Sequence, residues 1–314
     1  MLGIIKQLKL PYILYNIFHK KEMKHNEKLF KKYGIDKRYY SSISSKDFKG
    51  KASLLESPIA TTEDRDLEKS HAFQSLNEES QTSLKSFHDN GHAILRNYLS
   101  EEEVDRVNFE IDDLLKRKTL RYKWGMKIAF GFRHSKAIKD IGSNKNLKEI
   151  LGLLLEGKPI LFQSLNFKMG SEQATHSDSI HMTTFPLGGL LGVWIALEDM
   201  TDDNGPLHYY PGSHKLPYYL NGDYDNEGTD FMIGNKSYDV YEQMMRDKIE
   251  ELGLEKKIFN ARKGDILIWH ANLFHGGEPH NDKNKTRKSM VLHYFKENCI
   301  CYHELTQRPA VIRK

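Results

Sequence analysis

Cysteine is scarce in this sequence, and charge of one sign hardly exceeds charge of the other. The 314 residues include two cysteines, Cys299 and Cys301, in the stretch "ENCICYHE". Residues two apart on a strand point the same way but are poorly placed for a mutual disulfide. We therefore expect two reduced thiols and a cytoplasmic protein. With 47 basic and 43 acidic residues the net charge is +4, which disfavours a nucleic-acid partner.

Long apolar runs are also missing, because no stretch reaches the roughly eighteen residues that a membrane span needs. Residues 1–21 come closest, but Lys6, Lys9 and Pro11 interrupt them, and no small-residue cleavage site marks a signal peptide. Apolar residues on both sides of Pro11 recur at helical spacing with lysines nearby: Ile4, Ile5, Leu8, Leu10, Ile13, Leu14, Ile17 and Phe18. We expect this face to pack on the protein's own core. The alternative is a peripheral contact of residues 1–24 with the anionic inner face of a membrane.

The order of the predicted elements indicates a mainly β protein with helical cover. Residues 1–80 form an N-terminal cover segment, helical over 1–35 and extended or loosely ordered over 41–80. A second part, 81–314, begins with helices at 79–89, after Ser100 and at 146–156, where Ser100 and Glu103 form a capping box.

Short β-rich segments bounded by Gly, Pro, Asn or Asp then follow, at 159–170, 188–200, 206–212, 263–270 and 287–295. Helices first and strands afterwards favour an antiparallel barrel or sandwich over a Rossmann alternation. Residues 215–262 interrupt the strands with a tyrosine-rich loop and a predicted helix at 237–253. This insertion is either a lid over the barrel mouth or a surface decoration.

The candidate metal site begins in "THSDSIHMTTFPLG", where His176 and Asp178 stand two apart. In an extended segment both side chains project to one face. A mononuclear Fe(II) site that activates oxygen uses two histidines and one carboxylate. Of the histidines in "GDILIWHANLFHGGEPH" we choose His275, since His270 ends a strand on the other face and His280 follows a Gly- and Pro-containing loop. We expect the remaining histidines nearby to be core or surface residues: His181, His208, His214 and His293.

A basic residue follows at a position that suits an acidic cosubstrate. Arg287 stands twelve residues after His275 and opens the next apolar strand. If that strand were the antiparallel neighbour of the one carrying His275, the guanidinium would return towards the metal. A buried arginine there suits a dicarboxylate, because its planar fork pairs with carboxylate oxygens at two points.

Several stretches together resemble the phytanoyl-CoA dioxygenase family of Fe(II)- and 2-oxoglutarate-dependent oxygenases. They are "HSD", "LEDMTDDNGPLHYYPGSHK", "GDILIWHANLFHGG" and "RKSMVLHYF". The Asn-Gly-Pro-Leu run ending in Pro-Gly-Ser-His is much more specific than His-x-Asp alone. "QSLNFKMG" before "HSD" is similar to the ectoine hydroxylases of that family. The resemblance covers about 85–295, and neither the first eighty residues nor the insertion has a counterpart.

The resemblance implies a double-stranded β-helix in which His176, Asp178 and His275 hold iron. It also implies that the distal carboxylate of 2-oxoglutarate binds Arg287. The other implied cosubstrate contacts are Gln163, Asn166, Lys168 and Trp194. Two positions depart from the pattern, Met182 where many members have tryptophan and Gly277 where many have serine.

The implied activity is hydroxylation of an unactivated C–H bond in a small or lipid-like metabolite. The reaction would use Fe(II), O₂ and 2-oxoglutarate, release succinate and CO₂, and take ascorbate as the reductant in vitro. Asp178 favours hydroxylation, since halogenating relatives lack that carboxylate. Two alternatives are a non-catalytic metal-binding module of the same fold and a cupin-like metalloenzyme that does not use 2-oxoglutarate. The oligomeric state is left open.

Overall fold

A six-stranded antiparallel sheet is the frame of the protein, with strand order β1-β8-β5-β10-β3-β2. The computed structural model describes residues 7–51, 64–123 and 126–313. Two three-stranded sheets, β12-β11-β4 and β7-β6-β9, accompany the large one. The strands are β1 (His92–Leu95), β2 (Lys127–Ala129), β3 (Pro159–Phe167), β4 (Met182–Phe185), β5 (Leu190–Ala196), β6 (Leu207–Tyr209), β7 (Lys257–Phe259), β8 (Ile266–His270), β9 (His275–Gly277), β10 (Ser289–Lys296), β11 (Ile300–His303) and β12 (Arg308–Pro309).

The two faces of the large sheet pack against different partners, because side chains alternate along each strand. On β10, Met290 and Leu292 belong to the large apolar cluster that the sheet forms with the helices. Val291, between them, belongs instead to a cluster with Leu207 of β6 and Phe259 of β7. The helices therefore cover the outer face and the small sheets cover the inner face. This confirms the predicted double-stranded β-helix with helical cover.

Ten α-helices lie within the described residues, several of them short. They are α1 (Leu10–Phe18), α2 (Asn26–Lys32), α3 (Asp64–Lys69), α4 (His71–Gln74), α5 (Glu78–Lys85), α6 (Phe87–Asn90), α7 (Glu101–Lys116), α8 (Lys136–Gly142), α9 (Lys145–Leu155) and α10 (Tyr238–Glu251). The predicted capping box is present at the start of α7, where the Ser100 side chain accepts from Glu103 N and the Glu103 carboxylate accepts from Ser100 N. Val104, Val107 and Ile111 of α7 are buried against the outer face. No described helix is long and apolar enough to cross a membrane.

The expectation of a loose connector over 41–80 is wrong for its described part. Helices α3 and α4 fall within it, and Leu67, Ala72 and Phe73 are buried in the main apolar cluster. Earlier residues, Phe48 among them, pack on Phe185 of β4 and the neighbouring β11. Apolar residues spaced widely among polar ones were enough to anchor this segment, because they are buried in the domain's apolar clusters.

Helix α1 does not bury its apolar face, contrary to expectation. Asn16 is its only buried residue, and the helix is held by polar contacts such as the Lys9 amine to Thr229 O at 2.5 Å. The exposed fractions of Leu14, Ile17 and Phe18 are 47%, 42% and 80%. The apolar stripe thus points to solvent, and its first members, Ile4 and Ile5, lie outside the described residues. Leu29 and Phe30 of α2 do pack on the domain.

Candidate metal centre

Three side chains converge in a pocket on the inner face of the large sheet. His176, Asp178 and His275 each offer one ligand atom, and the three atoms lie within 4.8 Å of one another. The Asp178 Oδ1 atom is 4.0 Å from His176 Nε2 and 3.7 Å from His275 Nε2. All three residues are buried, with exposed fractions of 5–6%. Two imidazoles and one carboxylate grouped in this way fit a facial Fe(II) site.

Backbone hydrogen bonds fix the tautomer of both histidines. His176 Nδ1 donates to Ala174 O at 3.0 Å, and His275 Nδ1 donates to Leu273 O at 2.9 Å. Since Nδ1 carries the proton in each ring, the Nε2 lone pairs are free and point at the carboxylate. Such bonds are the usual means of orienting histidines for a metal. Burial holds the pKa of His176 well below its ordinary value, which favours the neutral, ligating form.

The carboxylate is oriented from its other side. Trp269 Nε1 donates to Asp178 Oδ2 at 2.7 Å, and His293 Nε2 lies 3.4 Å from the same oxygen. Oδ1 is thereby left for a metal. Burial alone would raise the pKa of Asp178, but the neighbouring imidazoles of His275 and His293 outweigh it and hold the pKa below its ordinary value. The carboxyl is therefore ionised, as a ligand must be.

Neighbouring backbone brings the ligands together from distant parts of the chain. His176 and His275 form an isolated antiparallel bridge, with N to O distances of 2.9 Å in both directions. Ser213 fixes the approach to His275, because its hydroxyl donates to Tyr210 O and accepts from Phe274 N. The Pro-Gly-Ser-His run in the sequence thus has a structural role here, which is to position the third ligand.

Arg287 lies in the same pocket, and no carboxylate is within ion-pair distance of it among the described residues. The pocket is lined by His176, Asp178, His275, His293, Trp194 and Arg287, among others. Arg287 is 3% exposed, its Nε atom has no partner, and its guanidinium carbon is 5.6 Å from the centre of the Trp194 ring. Burial lowers its pKa to about 10, so it stays charged at neutral pH. A buried cation without a counter-ion is costly, and an anionic ligand would relieve that cost.

The route by which Arg287 reaches the pocket differs from the prediction. The strand of His275, β9, pairs with β6 in a small sheet, whereas β10 pairs with β3 and β5 in the large one. The two strands are therefore not neighbours. Arg287 meets the ligands because the two sheets face each other across the pocket, a relation that strand order along the chain does not reveal.

Comparison with known proteins agrees with this geometry. The sequence profile of the phytanoyl-CoA dioxygenase (PhyH) family matches residues 87–289, which is more than half of the chain. The chain belongs to the phytanoyl-CoA dioxygenase family. Phytanoyl-CoA dioxygenase 1 of Oryza sativa subsp. japonica is 28% identical over 241 residues, covering 61% of this chain and 80% of the rice protein.

Other members of the phytanoyl-CoA dioxygenase family match over shorter stretches. Phytanoyl-CoA dioxygenase domain-containing protein 1 of Danio rerio is 45% identical over 60 residues, or 18% of this chain and 21% of the fish protein. The homologue from Dictyostelium discoideum is 29% identical over 46% of this chain and 48% of its own length. The chain thus spans between about a fifth and a half of these two relatives.

Solved structures share the fold at low sequence identity. The α-ketoglutarate-dependent carbocyclase SnoK of nogalamycin biosynthesis superposes with a TM-score of 0.56 at 17% identity, covering 74% of this chain and 88% of SnoK. EctD from S. alaskensis, solved with 2-oxoglutarate and 5-hydroxyectoine, gives 0.56 at 17% identity over 83% and 87% of the two chains. The architecture of this phytanoyl-CoA dioxygenase family member is therefore that of 2-oxoglutarate oxygenases.

The structure brings only one of the four further cosubstrate residues into the metal pocket. Trp194 lines it. Asn166 projects from the opposite face of β3, where a Cβ placed on Gly131 would lie 2.8 Å from its Oδ1. Lys168 is exposed, although its carbonyl accepts from Arg287 N at 2.9 Å. Gln163 shares the inner face with His293, its partner on β10, but lines a second cavity. Strand alternation explains Asn166 and Lys168, because even-numbered residues after Gln163 face outwards, beyond the bulge in the pairing of β3 with β10.

His293 and Trp269 are the contacts that sequence reasoning missed. His293 was expected in the core or on the surface, yet it lies beside Asp178. Its position in the sequence was the available signal, because Arg287, just before β10, and Val291 and His293 on β10 are separated by even numbers of residues and so face the same side in extended chain. Trp269 gave no comparable signal. His270 is buried beside His214, with ring centres 5.6 Å apart, and both remain outside the ligand cluster.

The insertion lies directly on the ligand segment. Tyr241 of α10 is fully buried, and its hydroxyl accepts from Ser177 N at 3.2 Å, between the two ligands of the His-x-Asp pair. Tyr238 of the same helix bonds to His181 Nε2 at 3.0 Å. Together with Ile180 and Phe274, α10 forms an apolar cluster of its own. The insertion is therefore packed on the site and is not a surface decoration.

Proposed function

We propose that this protein is an Fe(II)- and 2-oxoglutarate-dependent oxygenase that hydroxylates an unactivated C–H bond of a small-molecule substrate. One observation carries the proposal. Two free imidazole nitrogens and a carboxylate oxygen converge in a pocket that also holds a buried, unpaired guanidinium. The family's dioxygenase activity and the 2-oxoglutarate bound in the EctD structure support it.

Each residue has a separate role in the proposed reaction. His176, Asp178 and His275 would hold the iron, and Arg287 would bind the distal carboxylate of 2-oxoglutarate through a two-point, charge-assisted pair. Bound Fe(II) would activate O₂ at the expense of 2-oxoglutarate, which leaves as succinate and CO₂, and thereby oxidise a substrate C–H bond. Trp194 covers the guanidinium.

The proposed reaction also requires that the metal pocket be shielded from water. We assign this shielding to the insertion at 215–262, because Tyr238 and Tyr241 hold the ligand segment from outside. A site from which water is excluded strengthens the electrostatic contacts inside it and suppresses side reactions.

Two rival functions make different predictions. A non-catalytic module would bind metal and 2-oxoglutarate without producing succinate. A cupin-like metalloenzyme would bind metal but would have no use for a buried dicarboxylate anchor, so the position of Arg287 favours the oxygenase.

The experiment is a succinate assay on the full chain with Fe(II), ascorbate and 2-oxoglutarate, screened against an extract of metabolites and lipids. We expect succinate release that a substrate fraction increases and that His275→Ala removes. Under anaerobic conditions, 2-oxoglutarate should also produce a visible charge-transfer band with the bound iron. Iron binding without that band would indicate the cupin-like enzyme, and the band without succinate would indicate the non-catalytic module.

We also propose that helix α1 contacts the anionic inner face of a membrane peripherally. Its outward apolar residues, Leu14 and Phe18 among them, have no protein partner that buries them, and the exposed residues Lys20, Lys21 and Lys24 follow directly. An apolar stripe beside lysines matches an anionic lipid surface, where apolar burial and charge attraction add.

Vesicle flotation at low salt tests this contact with phosphatidylglycerol-containing and purely zwitterionic vesicles. The wild-type chain should float with the anionic vesicles, and the double variant Leu14→Asp/Phe18→Asp should not. Phe109→Asp is the matched control, because Phe109 is 72% exposed on α7. Equal flotation of the wild type and the double variant would contradict the proposal.

A further inference from the structure

A second cavity lies on the inner side of the large sheet, close to the ligands but separate from their pocket. It measures about 180 Å³, and its walls include Phe130, Phe162, Met182 and Gln163. An apolar cavity of similar size, roughly 150 Å³, admits benzene in another protein. This cavity therefore has room for a compact apolar group of about that size.

Two side chains stand between this cavity and the metal ligands along each of two walls. The ring of Phe162 is 6.3 Å from the ring of His293, and His293 Nε2 is 3.4 Å from Asp178 Oδ2. On another wall, the ring of His303 is 6.4 Å from that of His181, which is 5.5 Å from the ring of His176. A molecule in the cavity would thus lie within two side chains of the site where oxidation is proposed to occur.

Two arginines line the same cavity without an acidic partner. Arg133 and Arg308 are both half-buried wall residues, and within the described part of the chain neither has a carboxylate at ion-pair distance. Arg133 lies over Phe130, with 4.0 Å from its guanidinium carbon to the ring centre, and its Nε is buried without a partner. Arg308 lies 5.4 Å from the centre of the Tyr15 ring and donates from Nε to Thr306 Oγ1 at 3.0 Å.

Arg313 adds a third positive charge close to Arg133. Burial lowers the pKa of Arg133, and the charge of Arg313 lowers it further. Burial also lowers the pKa of Arg308. Guanidinium groups held in this way favour a planar anion, since a carboxylate or phosphate can accept two hydrogen bonds from one fork.

An unsatisfied polar atom points to a ligand independently of the arginines. Gln163 Oε1 is buried without a hydrogen-bond partner, on the strand that forms the wall between the two cavities. Buried amide oxygens are normally bonded. A donor group on a bound molecule would satisfy it.

We propose that this cavity is the substrate site and that it takes a compact anionic amphiphile. The apolar body would lie against Phe162 and Met182, and its carboxylate or phosphate would pair with Arg133 and Arg308. The proposal rests on the proposed oxygenase function, because oxidation requires the neighbouring ligands. It places the cosubstrate anion on Arg287 and the substrate anion on a different pair of arginines.

Calorimetry on the full chain, loaded with Mn²⁺ and 2-oxoglutarate, tests the proposal with 3-phenylpropionate and phenyl phosphate as probes. Their controls are the uncharged 3-phenylpropanamide, inorganic phosphate and the long-chain anion palmitate. At least one aromatic anion should bind at least about tenfold more tightly than the amide, as a charge-assisted pair implies. Whichever of the two binds identifies the anion as carboxylate or phosphate ester.

Four variants, one of them a matched control, separate this site from other causes. Arg133→Met and Arg308→Met should each reduce the preference for the anion, whereas the affinity for 2-oxoglutarate should stay within about twofold. Arg246→Met is the matched control, since Arg246 is exposed on α10. Arg308→Lys keeps the charge and should retain part of the preference even if Arg308→Met loosens helix α1.

Four results would overturn the proposal. They are equal binding of the acid and the amide, a preference that survives both methionine variants, inorganic phosphate binding as tightly as phenyl phosphate, and a site that accepts only palmitate. A preserved preference for the aromatic anion in a chain that releases no succinate would instead contradict the oxygenase function and leave the binding site in place.

Discussion

The outer and inner faces of the large sheet show opposite uses of the same strands. On β10, Met290, Leu292 and Tyr294 face outwards and are fully buried against helices. The one polar group among these side chains, the Tyr294 hydroxyl, donates to Gly142 O. The inward residues of the same segment include His293 and Arg287, which retain ring and guanidinium nitrogens without hydrogen-bond partners. One face is built for stability and the other for binding.

The difference between the two faces shows where the protein leaves buried polar atoms without hydrogen-bond partners, at a cost in stability. Buried polar atoms without partners each cost on the order of 1–3 kcal/mol. On the inner face such atoms line the ligand pocket, where a bound anion can accept from the unpartnered Arg287 Nε. Asn166 is an exception on the outer face, because both of its amide atoms lack partners and it lies away from the metal pocket. Substitutions on the two faces should therefore have separable consequences.

The largest expected effect is on metal binding, at the centre of the inner face. His275→Ala and His176→Ala each remove one of three ligands and should abolish tight Fe(II) binding, while thermal stability changes little. Metal content after gel filtration and an anaerobic Fe(II) titration measure the effect. His270→Gln is the control, because His270 is equally buried but lies outside the cluster. Wild-type iron affinity in either alanine variant would refute the ligand assignment.

On the outer face, Leu292→Ala should lower the free energy of unfolding by about 2–5 kcal/mol, the usual cost of a truncated core leucine. Leu292 is fully buried among helix residues, so the cavity it leaves has no access to ligand. Urea denaturation measures the loss, and the affinity for 2-oxoglutarate of the folded fraction should be unchanged. If the Leu292→Ala variant were as stable as the wild type but bound 2-oxoglutarate more weakly, the two faces would not have separate roles.

Arg287→Ala should show the reverse pattern. Truncating one partner of a buried charge pair typically costs about 2–5 kcal/mol, so 2-oxoglutarate should bind at least roughly thirtyfold more weakly. Iron affinity without cosubstrate should change little, and unfolding should not become easier, because the side chain has no ion-pair partner in the free protein. Calorimetric titration of 2-oxoglutarate into the Mn²⁺-loaded variant measures the loss. Arg287→Lys should recover only part of it, and a loss below threefold would reject the anchor.

Trp269→Phe should have the smallest effect of the four. It removes the indole donor that holds Asp178 Oδ2 but keeps an aromatic ring in the same core. Loss of such an orienting bond typically weakens metal affinity by about 10–100-fold, and we expect the lower end because His293 remains near the same oxygen. Competition with a metal chelator measures it. An unchanged affinity would show that burial alone orients the carboxylate.

The sequence by itself determined the local features of the protein. The Ser100–Glu103 capping box, the strands over 159–170 and 287–295, and the grouping of His176 with Asp178 all depend on residues close together in the chain. Their side chains interact, or share a face, through the fixed repeats of helix and strand. The same repeat would have placed His293 beside Arg287 and turned Asn166 away from the pocket, had it been applied to every strand.

Only the tertiary structure decided how these pieces meet. Arg287 and His275 come together because two sheets oppose each other, and Trp269 reaches Asp178 from 91 positions away. The outward apolar stripe of α1, the anchoring of Phe73 in the core and the arginine-lined cavity depend likewise on which surfaces remain after the large sheet is covered. Such contacts join residues far apart in sequence. They are selected by the combined packing of the whole chain, which no local periodicity encodes.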